Sequence, residues 1–332
     1  MYERRLKLAP LTIYIGGGTP SLLSLSLLEK MGEILRRYVD FSSLLEFTIE
    51  ANPESVDKEK VRIWKNIGIN RVSLGIQAFD DKTLSFLGRV HQSMQTFKAI
   101  EILKEEFENI SFDLIYGIPG QDLEKWKDTL IKAIAFEPKH ISIYALSFDE
   151  GTLFKKWLEE GKLSPVDEEQ YVDMYNRGVE VLRDHGYERY EISNFSYPGY
   201  ESIHNLGYWT YDDYIGIGVS ASSFLDGERY TNFSDFKKYK DALLNMKLPI
   251  ESYDRIDKNI KMGEYAILRL RTKRGLVSRE FFSLFGVSPC DVFGDVFSYF
   301  SSLGYMERTN NGWRLTDDGI LVSNRIFMEF LR

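Results

Sequence analysis

Short apolar runs alternate with helical periods along the first 150 residues of the chain. The runs that predict strands are Leu11–Ile15, Glu46–Glu50, Arg71–Ile76, Ile110–Ile115 and His140–Leu146. The periods that predict helices are Leu27–Tyr38, Lys58–Ile67, Met94–Phe107 and Leu123–Ala135. Strands that alternate with helices in this way are typical of βαβ units and a parallel sheet. The pattern therefore predicts an α/β fold, either a (β/α) barrel or a doubly wound sheet.

The predicted strands carry different chemistry on their two faces, because successive strand residues point to opposite sides of a sheet. One face is apolar and is expected to pack under the helices; it carries Phe47, Ile49, Val72, Leu74, Ile76, Phe112, Leu114, Ile141 and Ile143. The other face is polar in four successive strands; it carries Thr48, Glu50, Arg71, Ser73, Gln77, Ser111, Asp113, His140, Ser142 and Tyr144. A closed barrel or a doubly wound sheet would have apolar residues on both faces. We therefore expect a hollow or open barrel whose polar interior faces a polar ligand.

Turn residues follow the predicted strands, above all in the segment GGGTP at positions 16–20. Parallel α/β proteins bind ligands at this edge of the sheet, so we expect Gly17, Gly18 and Thr19 to let a ligand lie against the backbone. The next helix, for which residues 26–29 predict a capping box, is expected to point its N-terminus at that ligand. The spacing matches neither a Walker loop nor a dinucleotide fingerprint.

The alternation of strands and helices ends near residue 150. Two helical stretches are followed by an aromatic-rich segment, and the tail has three helical stretches and a hairpin signal at Asn310–Gly312. This order is typical of a winged helix. We predict a partial barrel over residues 1–185, an aromatic-rich barrel extension with a linker over 186–255, and a winged-helix-like α+β module over 256–332.

The composition favours a soluble cytoplasmic protein that meets a membrane only through a partner and does not bind nucleic acid. The net charge is -8 and the isoelectric point is near 5.3, which disfavours phosphate backbones and anionic surfaces. No apolar run is long enough to span a bilayer, and the start of the sequence lacks the apolar core of a signal peptide. The segment Asp291–Leu303, where a recognition helix would lie, contains no Lys or Arg.

Several side chains outside the glycine turn are candidates for ligand binding. Glu50, Gln77 and Asp113 share the polar face, and three such groups together favour a function over a structural role. Arg89 follows the strand of Gln77 and is placed to pair with a carboxylate of the ligand. His204, in the segment HNLGYW, is a candidate to ligate or stack on a planar cofactor; a polar loop residue packed by aromatics is the alternative. The residues predicted to be structural are His91, His140, His185 and Cys290.

Eight motifs follow one another in a fixed order: IYIGGGTPSLL, IEANPESV, RVSLGIQAFDD, LGRVH, DLIYGIPGQ, YEISNFS, HNLGYW and DYIGIG. Together they resemble the radical S-adenosylmethionine family of oxygen-independent coproporphyrinogen III oxidases, and within it the HemW-type haem chaperones. The resemblance implies a partial barrel that binds S-adenosylmethionine. The residues that match ligand-contacting positions of the family are Gly17, Gly18, Thr19, Glu50, Gln77, Arg89 and Asp113. In the chaperone branch haem is held and handed to a client protein, and His204 is a candidate for holding it.

The resemblance also implies a segment that this sequence does not contain. Family members carry CxxxCxxC at the end of the first strand, where three thiolates hold a [4Fe–4S] cluster that binds S-adenosylmethionine and generates a radical when reduced. The single cysteine, Cys290, cannot replace three spaced ligands. We therefore expect the first βα unit and the cluster only in a full-length form, and no radical chemistry from this sequence alone. Without that unit, Leu11–Ile15 would lie at an unpaired sheet edge.

Three functions are open on these observations. The first is a HemW-like haem chaperone that binds haem and S-adenosylmethionine and delivers haem to an acceptor protein. The second is an oxygen-independent coproporphyrinogen III oxidase, which converts two propionates to vinyl groups by radical chemistry. The third is a cluster-free protein that binds S-adenosylmethionine. The partners implied are haem or a porphyrin and a haem acceptor, and no oligomeric state is indicated.

Overall fold

The computed structural model describes residues 8–331, which fall into two compact units that divide between His204 and Asn205. The first unit is built on a seven-stranded sheet. Its strands are β1 (Thr12–Ile15), β2 (Glu46–Ala51), β3 (Arg71–Gln77), β4 (Asn109–Tyr116), β5 (His140–Ala145), β6 (Glu188–Arg189) and β7 (Asn194–Ser196). In the sheet they follow the order β1-β2-β3-β4-β5-β7-β6. The strands from β1 to β5 are parallel, and β7 and β6 extend the sheet in antiparallel pairing.

Helices connect the parallel strands, as the alternating pattern predicts. They are α1 (Leu25–Tyr38), α2 (Lys58–Ile67), α3 (Asp81–Phe86), α4 (Ser93–Lys104), α5 (Leu123–Ile134), α6 (Leu153–Glu159) and α7 (Glu168–Asp184). A further helix, α8 (Ile203–Thr210), begins at the end of the first unit. The change to antiparallel pairing at β7 leaves five parallel strands, so the first unit is a partial (β/α) barrel, as predicted.

The start of α1 differs from the prediction. A short 3-10 turn, Pro20–Leu22, separates the glycines from this helix, which begins at Leu25. The Ser24 hydroxyl accepts a hydrogen bond from the Leu27 amide and is the N-cap, so the capping box predicted at residues 26–29 is wrong. The helix N-terminus is satisfied by its own cap, and it does not follow directly on the glycine turn.

The two faces of the barrel sheet carry the chemistry that the strand alternation predicts. The nine apolar residues assigned to one face are each at most 1% exposed; they are Phe47, Ile49, Val72, Leu74, Ile76, Phe112, Leu114, Ile141 and Ile143. On the other face polar side chains are buried as well and bond to one another. For example, Nδ1 of His140 lies 2.7 Å from Oγ of Ser111, and Nε2 of His140 lies 2.8 Å from Oη of Tyr190. The partial barrel therefore has a polar interior.

The β1 strand lies at one edge of the barrel sheet in the described part of the chain. Its residues are half-buried, and the preceding Leu11 is 61% exposed. This position agrees with the edge expected for the segment Leu11–Ile15.

The second unit contains two three-stranded antiparallel sheets. The first has β8 (Ser222–Leu225), β9 (Glu228–Asn232) and β10 (Ile250–Arg255), with α9 (Phe236–Leu244) between β9 and β10. The remaining elements are α10 (Lys258–Leu270), β11 (Leu276–Val277), α11 (Ser278–Phe285), α12 (Pro289–Ser302), β12 (Met306–Arg308), β13 (Gly312–Leu315), α13 (Asp317–Leu321) and α14 (Ser323–Met328). A helix, a strand, two helices and a hairpin in this order form the predicted winged-helix-like module.

The winged module has an aromatic core. Phe297 is 1% exposed and stacks on Trp313 with ring centroids 4.6 Å apart, and it also packs against Phe293 and Phe330.

No helix within residues 8–331 is long and apolar enough to cross a membrane. The three domain boundaries expected from the sequence stay predictions.

Candidate functional site

A cavity of about 260 Å³ opens at the carboxyl ends of the parallel strands. It is lined by the glycine turn after β1, by residues of β2 to β5 and by the segment after α3. Six of the eight site residues predicted from the sequence line it: Gly18, Thr19, Glu50, Gln77, Arg89 and Asp113. Gly17 adjoins this lining in the turn, and His204 is not part of it. The fold thus gathers the predicted polar residues around one cavity.

The turn after β1 needs glycine for two different reasons. A Cβ atom at Gly16 would lie 2.7 Å from Tyr14 Cε1 and 3.0 Å from Glu50 Oε1, so a side chain there would displace both residues. Gly17 and Gly18 adopt left-handed backbone, with φ of +81° and +63°, and open space surrounds the position of each missing side chain. These two residues therefore present bare backbone beside the cavity.

Glu50 fixes the glycine turn from the neighbouring strand. Its Oε1 accepts a hydrogen bond of 2.8 Å from the Tyr14 hydroxyl, and its Oε2 accepts one of 3.3 Å from the Gly17 amide. Burial and, next, the charge of Glu50 raise the pKa of Tyr14, so its hydroxyl remains a donor at neutral pH.

Asp113 is the carboxylate at the centre of the polar face. Its Oδ2 accepts a hydrogen bond of 2.9 Å from the Ser73 hydroxyl. Burial raises the pKa of Asp113 to about 6, against the opposing effect of hydrogen bonds from Ser142 and Ser73 and of the charge of Arg71. Asp113 therefore changes charge near neutral pH and responds to any cation that enters the cavity.

Gln77 ends β3 in an unusual backbone conformation. Its φ is +69°, and the pairing of β3 with β4 shifts register between Gly75 and Gln77. A Cβ at Gly75 would lie 2.9 Å from Gln77 Nε2 and 3.0 Å from Asn52 Oδ1, so Gly75 leaves space for both amide side chains at the cavity wall. The left-handed residue and the bulge turn Gln77 towards the cavity that it lines.

Arg89 lines the cavity beyond α3 and is half-buried. Within residues 8–331 its guanidinium forms no hydrogen bond and no ion pair. Burial lowers the pKa of Arg89, and the charges of Glu54 and Asp113 oppose this change. Because arginine stays protonated in proteins, Arg89 is an unpaired cation that suits a carboxylate or phosphate.

His204 lies in helix α8 and contacts the edge strand β1. Its Nδ1 is 2.8 Å from Thr12 Oγ1, and its ring stacks on Tyr14 with centroids 4.9 Å apart. Burial lowers the pKa of His204, so the ring is neutral at physiological pH. Although His204 does not line the cavity, Tyr14 joins it to Glu50 and so to the glycine turn.

The remaining histidines have partners within the fold. His91 is 2% exposed and places Nδ1 3.0 Å from Glu54 Oε2. His140 is fully buried between Ser111 and Tyr190, and His185 bonds to a carbonyl of its own helix. These contacts are structural, as the sequence predicted. Cys290 is exposed near the start of α12.

Three residues of the site were not singled out from the sequence. Tyr14 connects Glu50 with His204, and Asn52 and Tyr144 line the cavity. Strand alternation placed Tyr144 on the polar face, and Asn52 directly follows β2, so both carried a usable signal. The role of Tyr14 depends on a contact with a residue 190 positions away.

Relatives of known name identify the family. A model of the radical SAM superfamily matches residues 4–133. The heme chaperone HemW of Bacillus subtilis is 35% identical over 96% of this chain and 85% of its own length. Heme chaperone HemW proteins of Lactococcus lactis and Escherichia coli are 35% and 32% identical, again over 96% of this chain and 84% of theirs. The chain belongs to the HemW family.

A solved structure agrees with the fold of this HemW-family chain. The radical SAM enzyme coproporphyrinogen III oxidase (HemN) from Escherichia coli superimposes with a TM-score of 0.83, over 97% of this chain and 78% of that one. The sequence identity is 20%, so the likeness shows the fold alone. It supports a radical SAM type of partial barrel followed by a C-terminal module.

The residues of this HemW-family chain do not fit the [4Fe–4S] cluster that the superfamily implies. Cysteine thiolates hold such clusters, and the chain has one cysteine, which is exposed in the winged module. Among residues 8–331, no group of three or more His, Cys, Asp or Glu side chains is placed to hold a metal ion. The described residues therefore supply no ligand set for the cluster.

Proposed function

We propose that this chain is a haem chaperone that binds haem and S-adenosylmethionine and delivers haem to an acceptor protein. The observation that carries the proposal is the match to proteins named heme chaperone HemW along 96% of the chain. The polar cavity is a second argument, because the residues that match the family motifs lie around this cavity. Such a cavity suits a small charged ligand.

The cavity suits S-adenosylmethionine by charge. The remaining acceptor positions of Asp113 and Glu50 suit the amino group of such a ligand, and their negative charge suits its sulfonium. The unpaired Arg89 suits its carboxylate. Gly17 and Gly18 let the ligand approach the backbone. The volume of about 260 Å³ lies near the lower end of the roughly 300–1,000 Å³ common for small-molecule pockets. The cavity is therefore of a size for one small molecule.

Haem is larger than this cavity, and we place it on the side of His204. The lowered pKa keeps the imidazole in the neutral form that binds iron, and Thr12 fixes the orientation of the ring. Through Tyr14 this position adjoins Glu50, so haem and S-adenosylmethionine would bind on either side of one tyrosine.

A haem titration followed at the Soret band tests the haem assignment. We expect a saturable shift of the band for the wild-type protein and weaker binding with an altered spectrum for His204→Gln. The matched control is His185→Gln. His185 is exposed, and its ring bonds to the carbonyl of Val181 in the helix that precedes it. An unshifted band, or wild-type binding by His204→Gln, would remove this assignment.

Product analysis separates the chaperone from the oxidase. Conversion of coproporphyrinogen III to protoporphyrinogen IX by the protein purified from its source cells would support the oxidase. Haem binding without turnover, followed by appearance of the Soret band of an added apo-haemoprotein, would support the chaperone.

Calorimetry with the iron-free chain tests S-adenosylmethionine binding. We expect binding by the wild-type protein and a large loss for Arg89→Met, with Arg62→Met, an exposed arginine of α2, as the control. Absence of binding by the iron-free wild type would remove the cluster-free alternative.

A further inference from the structure

Arg71 is a buried cation that the fold leaves without a partner. It is 2% exposed at the start of β3, and its Nε donor has no hydrogen-bond partner. Within residues 8–331 the whole guanidinium forms neither a hydrogen bond nor an ion pair. Arginine cannot lose its proton in a protein, so the charge persists at high energetic cost. An unsatisfied buried group of this kind indicates a missing partner.

The other buried charged side chains of the described chain are all paired. Glu46 accepts a hydrogen bond of 2.7 Å from the Ile203 amide. Glu191 accepts one of 2.6 Å from Asn194 Nδ2. In the winged module Arg269, which is 3% exposed, donates from Nη2 to Glu280 Oε2 at 3.0 Å. Arg71 is therefore an exception within its own protein.

Arg71 lies on the strand face of β3 that borders the cavity. Arg71, Ser73 and Gln77 share one face of β3, and the latter two line the cavity. Arg71 itself is not among the residues that line the cavity. An extended arginine side chain spans about 7 Å, which is the rise of two strand residues and so the separation of Arg71 from Ser73 along β3. Its charge acts on Asp113 and Tyr144, which line the cavity. It also acts on His140, Tyr190 and His204, which do not.

Each acidic side chain of the barrel interior accepts hydrogen bonds from groups other than Arg71. Glu46 bonds to the start of α8, and Glu50 bonds to Tyr14 and Gly17. Asp113 accepts a hydrogen bond from Ser73, and burial raises the pKa of Asp113 against the opposing charge of Arg71. None of these acidic side chains is therefore the partner of Arg71.

We propose that Arg71 anchors a carboxylate-binding subsite at the floor of the cavity. A planar guanidinium binds a carboxylate through two parallel hydrogen bonds, which would satisfy donors that the fold leaves free. The identity of the ligand rests on the proposed function: S-adenosylmethionine carries an amino-acid carboxylate, and haem carries two propionates. Arg89, which lines the cavity, and Arg71, which is buried and is not among the lining residues, would then hold anionic groups at two separate positions.

The first test uses the propionate ion itself as the probe. Sodium propionate should raise the unfolding temperature of the wild-type protein above its value in sodium chloride of equal ionic strength, and Arg71→Met should abolish this excess. Without ligand, Arg71→Met should unfold at the wild-type temperature or higher, because it removes an uncompensated charge. The matched control, Arg269→Met, should unfold at a lower temperature, because it breaks the pair with Glu280.

Two ligand pairs then identify the source of the carboxylate. If it belongs to S-adenosylmethionine, Arg71→Met weakens binding roughly 10- to 100-fold and leaves decarboxylated S-adenosylmethionine unaffected. If it is a propionate of haem, the same variant weakens haem and leaves haem dimethyl ester unaffected.

The outcomes separate this subsite from the proposed function. Wild-type binding of propionate, haem and S-adenosylmethionine by Arg71→Met would overturn the subsite and leave the chaperone proposal standing. An Arg71-dependent effect of propionate without haem binding by the wild type would support the subsite and count against the chaperone. Unfolding of Arg71→Met at a lower temperature than Arg269→Met, with Arg71→Lys restoring stability but not the propionate effect, would show a structural role and also overturn the subsite.

Discussion

The barrel sheet and the winged module each bury a set of side chains, and the two sets differ in chemistry. The core of the winged module is aromatic: Phe281, Phe297 and Phe330 are at most 2% exposed, and its buried arginine is paired with Glu280. The interior of the barrel holds fully buried threonine, serine and histidine beside an arginine that has no partner. Apolar packing accounts for the first set, and it does not account for the second.

The difference separates what holds the fold from what is available to a ligand. Burying aromatic rings stabilises a protein in proportion to the area removed from water. Burying polar groups stabilises it little, even when each is satisfied, and costs free energy where one is not. A sheet that keeps such groups inside is less stable than one with an apolar interior, but it has a polar surface at the cavity.

The largest effect is expected in the aromatic core. Phe297→Ala should lower the unfolding free energy of the winged module by about 3–5 kcal/mol, because it removes a ring packed on Trp313, Phe293 and Phe330. Denaturant unfolding followed by circular dichroism measures this. The control, Tyr299→Ala on the same helix, removes a side chain that is 56% exposed and should cost much less. Equal losses would contradict the assignment of the core.

A smaller effect of opposite sign is expected inside the barrel. Burial raises the pKa of Asp113 to about 6, so between pH 4 and 6 the folded protein holds a proton that the unfolded chain has lost. The stability of the wild type therefore falls as the pH rises through this window. Asp113→Asn should be more stable than the wild type at pH 7 by about 3 kcal/mol, and the gain should vanish below pH 4.

Thermal unfolding across this pH range measures the effect of Asp113→Asn. Asp128→Asn is the control, because its carboxylate is exposed and pairs with Lys132 on the surface; it should change stability by less than about 0.5 kcal/mol. Asp113→Asn should also bind S-adenosylmethionine less tightly. A variant that loses stability at pH 7 would show that Asp113 supports the fold rather than a ligand.

The smallest effect compares two left-handed glycines. Gly17→Ala and Gly120→Ala should each cost about 1 kcal/mol, because both residues have positive φ and open space around the missing Cβ. Calorimetry should then show weaker S-adenosylmethionine binding for Gly17→Ala alone, since Gly120 does not line the cavity. Equal affinity of the two variants would remove the glycine turn from the site.

Much of the barrel was predictable because strand alternation is a local signal. The period of two residues placed Glu50, Ser73 and Asp113 on one face, and the parallel order of the strands brought them to one cavity. The winged module was predictable from its order of helices and from the turn at Asn310–Gly312.

Other features depend on contacts that no local pattern reveals. The choice of Ser24 rather than Ser26 as the N-cap follows from the 3-10 turn before it. Strand alternation placed Arg71 on the polar face. Whether Arg71 forms an ion pair depends on the hydrogen bonds of all neighbouring carboxylates, which the sequence does not reveal. His204 is 192 residues from Thr12, so their contact could not be read from the sequence.

Tyr14 belongs to both halves of the proposed binding region at once. Its ring supports His204, and its hydroxyl bonds to the carboxylate that holds Gly17. Two ligands that share a supporting residue have binding free energies that need not be additive, and any influence of the first on the second must be matched by an equal influence in return. Tyr14→Phe keeps the ring and removes the hydrogen bond to Glu50. It would therefore separate the contribution of stacking to the coupling free energy between the two ligands from the contribution of the hydrogen bond.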